Sequence, residues 1–212
     1  EEASAYRNIR QEIQTNCLLV DDEWAEILAK GNIDLLISID STEEKSYERI
    51  RKRGNFEKLI KNIISLNSFR EKYKSSSCFG LCVCVMRSNY REVERFVEFA
   101  KRYNFQRIIF GVLRGAFVPH EDIFTPLDGE AVGYLRDIMP YVEKRCKETG
   151  IELNYQFKSM LSDPAVQTEQ DAGFCSKKCR LPWMQLHIDA IRGGNMYPDC
   201  MCLLTSRKTG HG

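Results

Sequence analysis

The chain has 212 residues, enough for one large domain, or a domain with an appendage, and for a core of its own. Its 31 Lys and Arg stand against 30 Asp and Glu, a balance that argues against nucleic acid or a membrane surface as partner. The longest apolar run, Phe79 to Met86, is far too short to span a bilayer, and no secretory leader is visible.

The start at Glu1-Glu2-Ala3, without Met, suggests either a fragment of a longer chain or a chain whose true N-terminus is not in this sequence. Nine cysteines is a high and odd count. Several sit inside apolar strands and four cluster near the C-terminus, which fits a reducing compartment with a metal site better than a disulfide framework.

Strands and helices alternate. Gln11 to Asn16 reads as a short strand. Asp21 or Asp22 then caps a helix with Trp24, Ile27 and Leu28 on one face and Gly31 as its stop. Ile33 to Ile39 is a near-continuous apolar strand, as expected when both faces are covered. Ser41-x-x-Glu44 has the form of a capping box for the next helix. Asn55 caps a longer one whose stripe is Phe56, Leu59, Ile60, Ile63 and Ile64.

Phe79 to Met86 is a further buried strand. Asn89-x-x-Glu92 reads as a variant cap for a helix turning Val93, Phe96, Val97 and Ala100 inward. Gln106 to Leu113 is a strand. Glu130 to Thr149 is a helix expected to bend at Pro140 and to close on Gly150. Ile151 to Phe157 is the last strand of the series. Strands joined by helical crossovers mean a parallel α/β sheet, either doubly wound or an arc of a (β/α) barrel. From Ser162 the pattern breaks, leaving a cysteine-rich appendage with one strand candidate, Met184 to Asp189.

In parallel α/β folds ligands sit at the carboxyl ends of the strands. Those ends carry Thr15-Asn16, Ser38 and Asp40, Arg87-Ser88-Asn89, and Arg114. Helix capping accounts for Asn89 and partly for Asp40, but poorly for Ser38, which has apolar neighbours. Arg49, Arg51 and Arg53 lie just beyond the Asp40 rim. Such a basic run is usually a solvated face, although a guanidinium there can fork onto a carboxylate or phosphate. Cys82 and Cys84 point to one side of a strand and read as packed thiols. Cys175, Cys179, Cys200 and Cys202 are closely spaced soft ligands, fitting zinc or an iron–sulfur cluster.

Four stretches resemble the radical S-adenosylmethionine (SAM) superfamily, in particular members with a C-terminal SPASM or twitch extension. "IQTNCLLVDDEWAEIL" is similar to the family's third strand and helix, with Cys17 where glycine is usual. "LLISIDSTEEKSYERIRKRGNFEKLIKNI" is similar to the fourth strand and its crossover. "CVMRSNYREVERFVEFAKRYNFQRIIFGVL" is similar to the fifth and sixth strands, and "CRLPWMQLHIDAIRGGNMYPDCMC" to the extension.

The resemblance implies a partial (β/α)6 TIM-like barrel over residues 1–161, lacking its first strands, and a truncated Cys-rich extension over 162–212. It implies that Ser38 and Arg51 contact the methionyl end of SAM, that Asp40, Thr15 and Asn16 line the cofactor or substrate, and that Leu113 packs on the adenine. The catalytic [4Fe–4S] cluster would be held by residues outside this chain, because the family's C-x-x-x-C-x-x-C and G-G-E motifs would fall upstream of Glu1. Cys175, Cys179, Cys200 and Cys202 would hold an auxiliary cluster. The implied activity is reductive cleavage of SAM to a 5′-deoxyadenosyl radical that abstracts hydrogen from a peptide or small-molecule substrate. A reductant such as flavodoxin or ferredoxin and a cytoplasmic setting go with it. The alternatives are a non-catalytic scaffold with a structural four-cysteine zinc site and an unrelated barrel enzyme gripping a phosphorylated ligand through the basic turn.

Overall fold

The computed structural model describes residues 10–113 and 118–162, together with the backbone of Leu186–Asp189 and Asn195–Pro198. The chain divides into two compact units, Glu1–Pro164 and Ala165–Gly212.

In the first unit five strands form one parallel sheet: β1 (Glu12–Thr15), β2 (Asp34–Ser38), β3 (Phe79–Val85), β4 (Arg107–Val112) and β5 (Glu152–Tyr155). Their order in the sheet is their order in the chain. Right-handed crossovers between sequential neighbours put every connecting helix on the same face, so the sheet is an arc of a barrel and not a doubly wound sheet.

Strand parity reflects this. Leu35, Ile37, Ile39, Leu81, Val83, Val85, Ile108 and Phe110 are all fully buried. They face the layer formed by α1 (Asp22–Lys30), α2 (Glu44–Ile50), α3 (Phe56–Lys72), α4 (Arg95–Arg102) and α5 (Gly129–Thr149). The alternate residues, including Ser38, Cys82, Cys84 and Ile109, are only half-buried, and Gln14 and Asn154 are exposed. They share the concave face, because the register pairs Ser38 with Cys82 and Cys82 with Ile109. A short helix, α6 (Lys158–Ser162), ends the described part of the unit.

Local caps behave as local physics requires. Asp21 accepts from the Trp24 N–H at 2.9 Å and Asn55 from the Lys58 N–H at 2.6 Å. Gly150 closes α5 in the left-handed conformation, and α5 runs unbroken through Pro140.

Other expectations are met in part or corrected. The first helix does stop at Gly31, but that residue is right-handed and Asn32 takes the positive φ of 51°. Trp24 and Ile27 are exposed while Ala25, Leu28 and Ala29 are buried, so the packed stripe is displaced towards the small residues. Ile64 is likewise exposed, and Asn62 and Leu66 join the buried face of α3.

Neither Ser41-x-x-Glu44 nor Asn89-x-x-Glu92 forms a capping box. The N-cap of α2 is Glu43, without a side-chain bond, and Asn89 leads into a single 3₁₀ turn, Tyr90–Glu92, before α4. Ser41 Oγ instead donates to the Glu92 carboxylate at 2.8 Å, joined by the Thr42 N–H at 3.0 Å. The residues expected to start two separate helices tie two strand ends together.

In the second unit β6 (Leu186–Asp189) pairs antiparallel with β7 (Asn195–Pro198). Of the two, β7 is a strand the sequence pattern did not disclose.

Candidate active site

The sequence run from Ser38 to Gly54 folds into a rim of charge. Beyond the end of β2 the chain turns into α2 and returns through a tight corner in which the Gly54 N–H bonds the Arg51 carbonyl at 2.7 Å. A Cβ on Gly54 would stand 2.8 Å from both that carbonyl and the Tyr47 ring, so the corner closes only around glycine.

The corner sorts the three arginines. Arg49 and Arg53 are exposed, whereas Arg51 turns inward and its NH2 reaches Asp40 at 2.7 Å. Asp40 is buried, and its second oxygen accepts from the Cys84 N–H at 2.9 Å. One carboxylate therefore welds the ends of β2 and β3 and orients a cation beside them. Arg51 Nε is buried and has no hydrogen-bond partner.

Asn89 completes the frame, donating to the carbonyls of Asp40 and Cys84, each at 2.8 Å, and accepting from the Met86 N–H. It is a structural tie between strand ends. Arg87 and Ser88 lead away from this rim, Arg87 donating to the His120 carbonyl and pairing with Asp128, and the Ser88 N–H bonding Glu121.

On the concave side Ser38 is half-buried, and its Oγ accepts from Gln14 Nε2 at 3.4 Å. Gln14 Nε2 also approaches Cys82 Sγ at 3.8 Å. Gln14 was missed in the sequence. Its signal is the period of two that sets it on the face of Asn16, one pair before the strand end.

Burial raises the pKa of the Cys82 thiol and lifts that of Cys84 to about 12. Asp40 adds to both shifts and Arg51 opposes them. Both thiols are therefore protonated at neutral pH and are weak nucleophiles.

Thr15 and Asn16 spend their oxygens locally, accepting from the Cys17 and Leu18 N–H groups at 3.0 and 3.1 Å. These turns hold Cys17 at φ 61°, buried, with its carbonyl bonded by Asn62 at 2.7 Å. Leu113 follows β4 in the alternation of Ile109 and Gly111 and is half-buried.

At the opposite end of the bowl Arg107 pairs with Glu12 across the intervening strands. It passes over Gly80, where a Cβ would lie 3.0 Å from Arg107 Nε.

Arg114 and the cysteines Cys175, Cys179, Cys200 and Cys202 lie outside the described residues. Among the described residues no three His, Cys, Asp or Glu side chains are grouped to hold a metal ion, and no helix is long and apolar enough to cross a membrane. Two clefts, of about 370 and 480 Å³, lie at Arg87–Arg95 with the start of α5 and at β5 with the end of α5. Neither includes Ser38 or Arg51, so the candidate site is a face and not one of these clefts.

No protein-family model matches the chain. Over 107 residues, 49% of the chain and 27% of the relative, it is 27% identical to a cysteine-type anaerobic sulfatase-maturating enzyme of Clostridium novyi (strain NT). Among solved structures it aligns with Streptococcus suis SuiB bound to S-adenosylmethionine at a TM-score of 0.62 and 18% identity, covering 96% of this chain and 45% of SuiB. SuiB bound to the precursor peptide SuiA gives 0.61 and 17% identity, with the same coverage. Native anSMEcpe with bound AdoMet gives 0.51 and 17% identity, over 76% of this chain and 44% of that one. The chain spans less than half the length of each of these proteins, and the solved structures speak for its fold.

Proposed function

We infer, from the premise that the chain belongs to the radical SAM superfamily, that it supplies the SAM-binding face of an enzyme modifying a peptide substrate by hydrogen-atom abstraction. The carrying observation is Arg51. Asp40 fixes its guanidinium at the rim while Nε stays buried and unpartnered, as suits a group that awaits an anionic acceptor. Ser38 lies two residues before Asp40 and offers a hydroxyl on the same concave face, so the pair matches the two ends of an α-amino-acid head group. Leu113 would give the nucleoside an apolar neighbour, and Asn16 and Gln14 would shape the adjacent wall, while Thr15, expected there from the sequence, pairs with Ile37 on the helix-facing parity and holds the turn behind it.

When bound with a [4Fe–4S] cluster, SAM supplies a 5′-deoxyadenosyl radical and methionine on one-electron reduction. The chain's own part is to bind, orient and shield. The Asp40–Arg51 pair holds the carboxylate end, and the sheet excludes water from one side. The protonated Cys82 and Cys84 line the bowl without competing as nucleophiles. The assignment of Cys175, Cys179, Cys200 and Cys202 to an auxiliary cluster belongs to the same reading, as do a flavodoxin- or ferredoxin-type reductant and a cytoplasmic setting. A peptide is favoured over a small molecule by the sulfatase-maturating relative and by the peptide-bound form of SuiB.

The test is anaerobic titration of SAM into the full-length, cluster-loaded protein. Ser38→Ala and Arg51→Gln should each weaken binding about tenfold or more, the order expected for a lost charged hydrogen bond. Reduction with dithionite should release 5′-deoxyadenosine from the parent protein. Unchanged affinity in both variants would sink the reading.

A further inference from the structure

One helical turn before Arg51 lies Tyr47, whose carbonyl accepts the Arg51 N–H at 2.8 Å. Its ring is wholly buried, tilted against Phe56 at 5.4 Å between centroids and closed in by the bare edge of Gly54. Every requirement of packing would be met by phenylalanine. The tyrosine hydroxyl is nevertheless buried with no hydrogen-bond partner, and the neighbouring Arg51 Nε shares that condition. A buried donor without an acceptor carries a desolvation penalty, and two such donors, one on the last turn of α2 and one on its C-cap residue, point to a single missing acceptor.

We propose that Tyr47 Oη and Arg51 Nε together receive the carboxylate of the SAM methionyl group, which makes Tyr47 a second donor at that end of the cofactor. The proposal rests on the cofactor reading of the Ser38–Arg51 face. Burial raises the phenol above its ordinary pKa, so the hydroxyl keeps the proton it would donate. Asp40 occupies only one edge of the guanidinium, and the Arg51 side chain retains 27% of its exposure. The carboxylate reaches the phenol as that side chain turns, leaving the Asp40 contact in place as its pivot. A lysine at 51 could not reproduce this, since it has no inner nitrogen to pair with the phenol.

The test compares two ligands on the full-length, cluster-loaded protein: SAM and its decarboxylated analogue, which lacks only the carboxylate. Tyr47→Phe should bind SAM about tenfold more weakly, bind the analogue as the parent protein does, and unfold at an equal or higher urea concentration. With 3-fluorotyrosine incorporated, the resonance absent from Tyr47→Phe should move on adding SAM and stay still on adding the analogue. Equal loss of both ligands, or no loss of either, overturns the proposal, the first meaning a packing role and the second a phenol satisfied by water. Ser38→Ala separates the two levels. If it weakens SAM while Tyr47→Phe does not, only the role of Tyr47 fails, and if neither weakens SAM the cofactor site itself is misplaced.

Discussion

Asp40 and Arg51 form a 2.7 Å ion pair between the end of β2 and the corner after α2, with side-chain exposures of 8% and 27%. In Asp40→Asn the amide oxygen can still accept from the Cys84 N–H, but the charge that aims Arg51 is gone. A fully buried pair costs about 3–5 kcal/mol when one partner is removed. Arg51 keeps access to water, so we expect a loss of about 1–3 kcal/mol in urea unfolding, together with weaker SAM binding. Stability equal to the parent protein would mean that the pair is incidental.

Glu92 gathers the loop after β2. Its carboxylate accepts from Ser41 Oγ, the Thr42 N–H and Thr42 Oγ1. Hydrogen bonds to a charged acceptor contribute about 1.5–3 kcal/mol each and are not additive. Glu92→Ala should therefore lose roughly 3 kcal/mol, while Glu92→Gln, which retains an acceptor, should lose clearly less. Chemical denaturation of the two variants side by side checks the ranking.

Several misreadings trace to this same loop. Asp21 and Asn55 cap their helices because a cap is decided within three residues, which a sequence displays. Ser41 and Asn89 have the same chemistry and each makes a local bond, with the Glu43 and Met86 N–H groups, but both also reach partners about fifty positions away, at Glu92 and Asp40, which no local pattern displays. That Ser38, Asp40 and Arg51 share one rim was legible because strand end, helix and corner follow one another in a single stretch. Gln14 was overlooked although the period of two places it on the face of Asn16, and the missing partner of the Tyr47 hydroxyl leaves no pattern in the sequence.

Cys17 predicts a pH response. Burial pushes its thiol up to about 12, above its ordinary value near 9. The unfolded thiol ionises first, so this contribution to stability is complete below pH 9 and is lost as pH rises towards 12, by up to about 1.4 kcal/mol per pH unit. The urea midpoint of the parent protein should fall more steeply above pH 9 than that of Cys17→Ala. Parallel pH profiles would show that the thiol meets water. Its positive φ adds a second check, since Cys17→Val should cost about 2 kcal/mol or more by putting a branched side chain into the left-handed region.

Gly80 and Arg107 should be coupled. A methyl at Gly80 would lie 2.9 Å from Leu36 Cδ1 and 3.0 Å from Arg107 Nε. Gly80→Ala is expected to cost about 1–3 kcal/mol by overcrowding, and less once Arg107→Ala has cleared the space. A double-mutant cycle should give an interaction of at least about 0.5 kcal/mol. Strict additivity would mean that Leu36 alone sets the limit.

The period-two division of the strands has an evolutionary corollary. Leu35, Ile37, Leu81, Val83 and Ile108 are answerable to the helices behind them, while Ser38, Cys82, Ile109 and Asn154 are answerable only to whatever enters the bowl. Lineages can therefore rewrite the second set one residue at a time without endangering the first. A saturation library scored for folding alone should show tolerance at Ser38, Cys82 and Ile109 and intolerance at their neighbours Ile37, Leu81, Val83 and Ile108. New substrate preferences would arise by drift on one parity while the scaffold stays under purifying selection on the other.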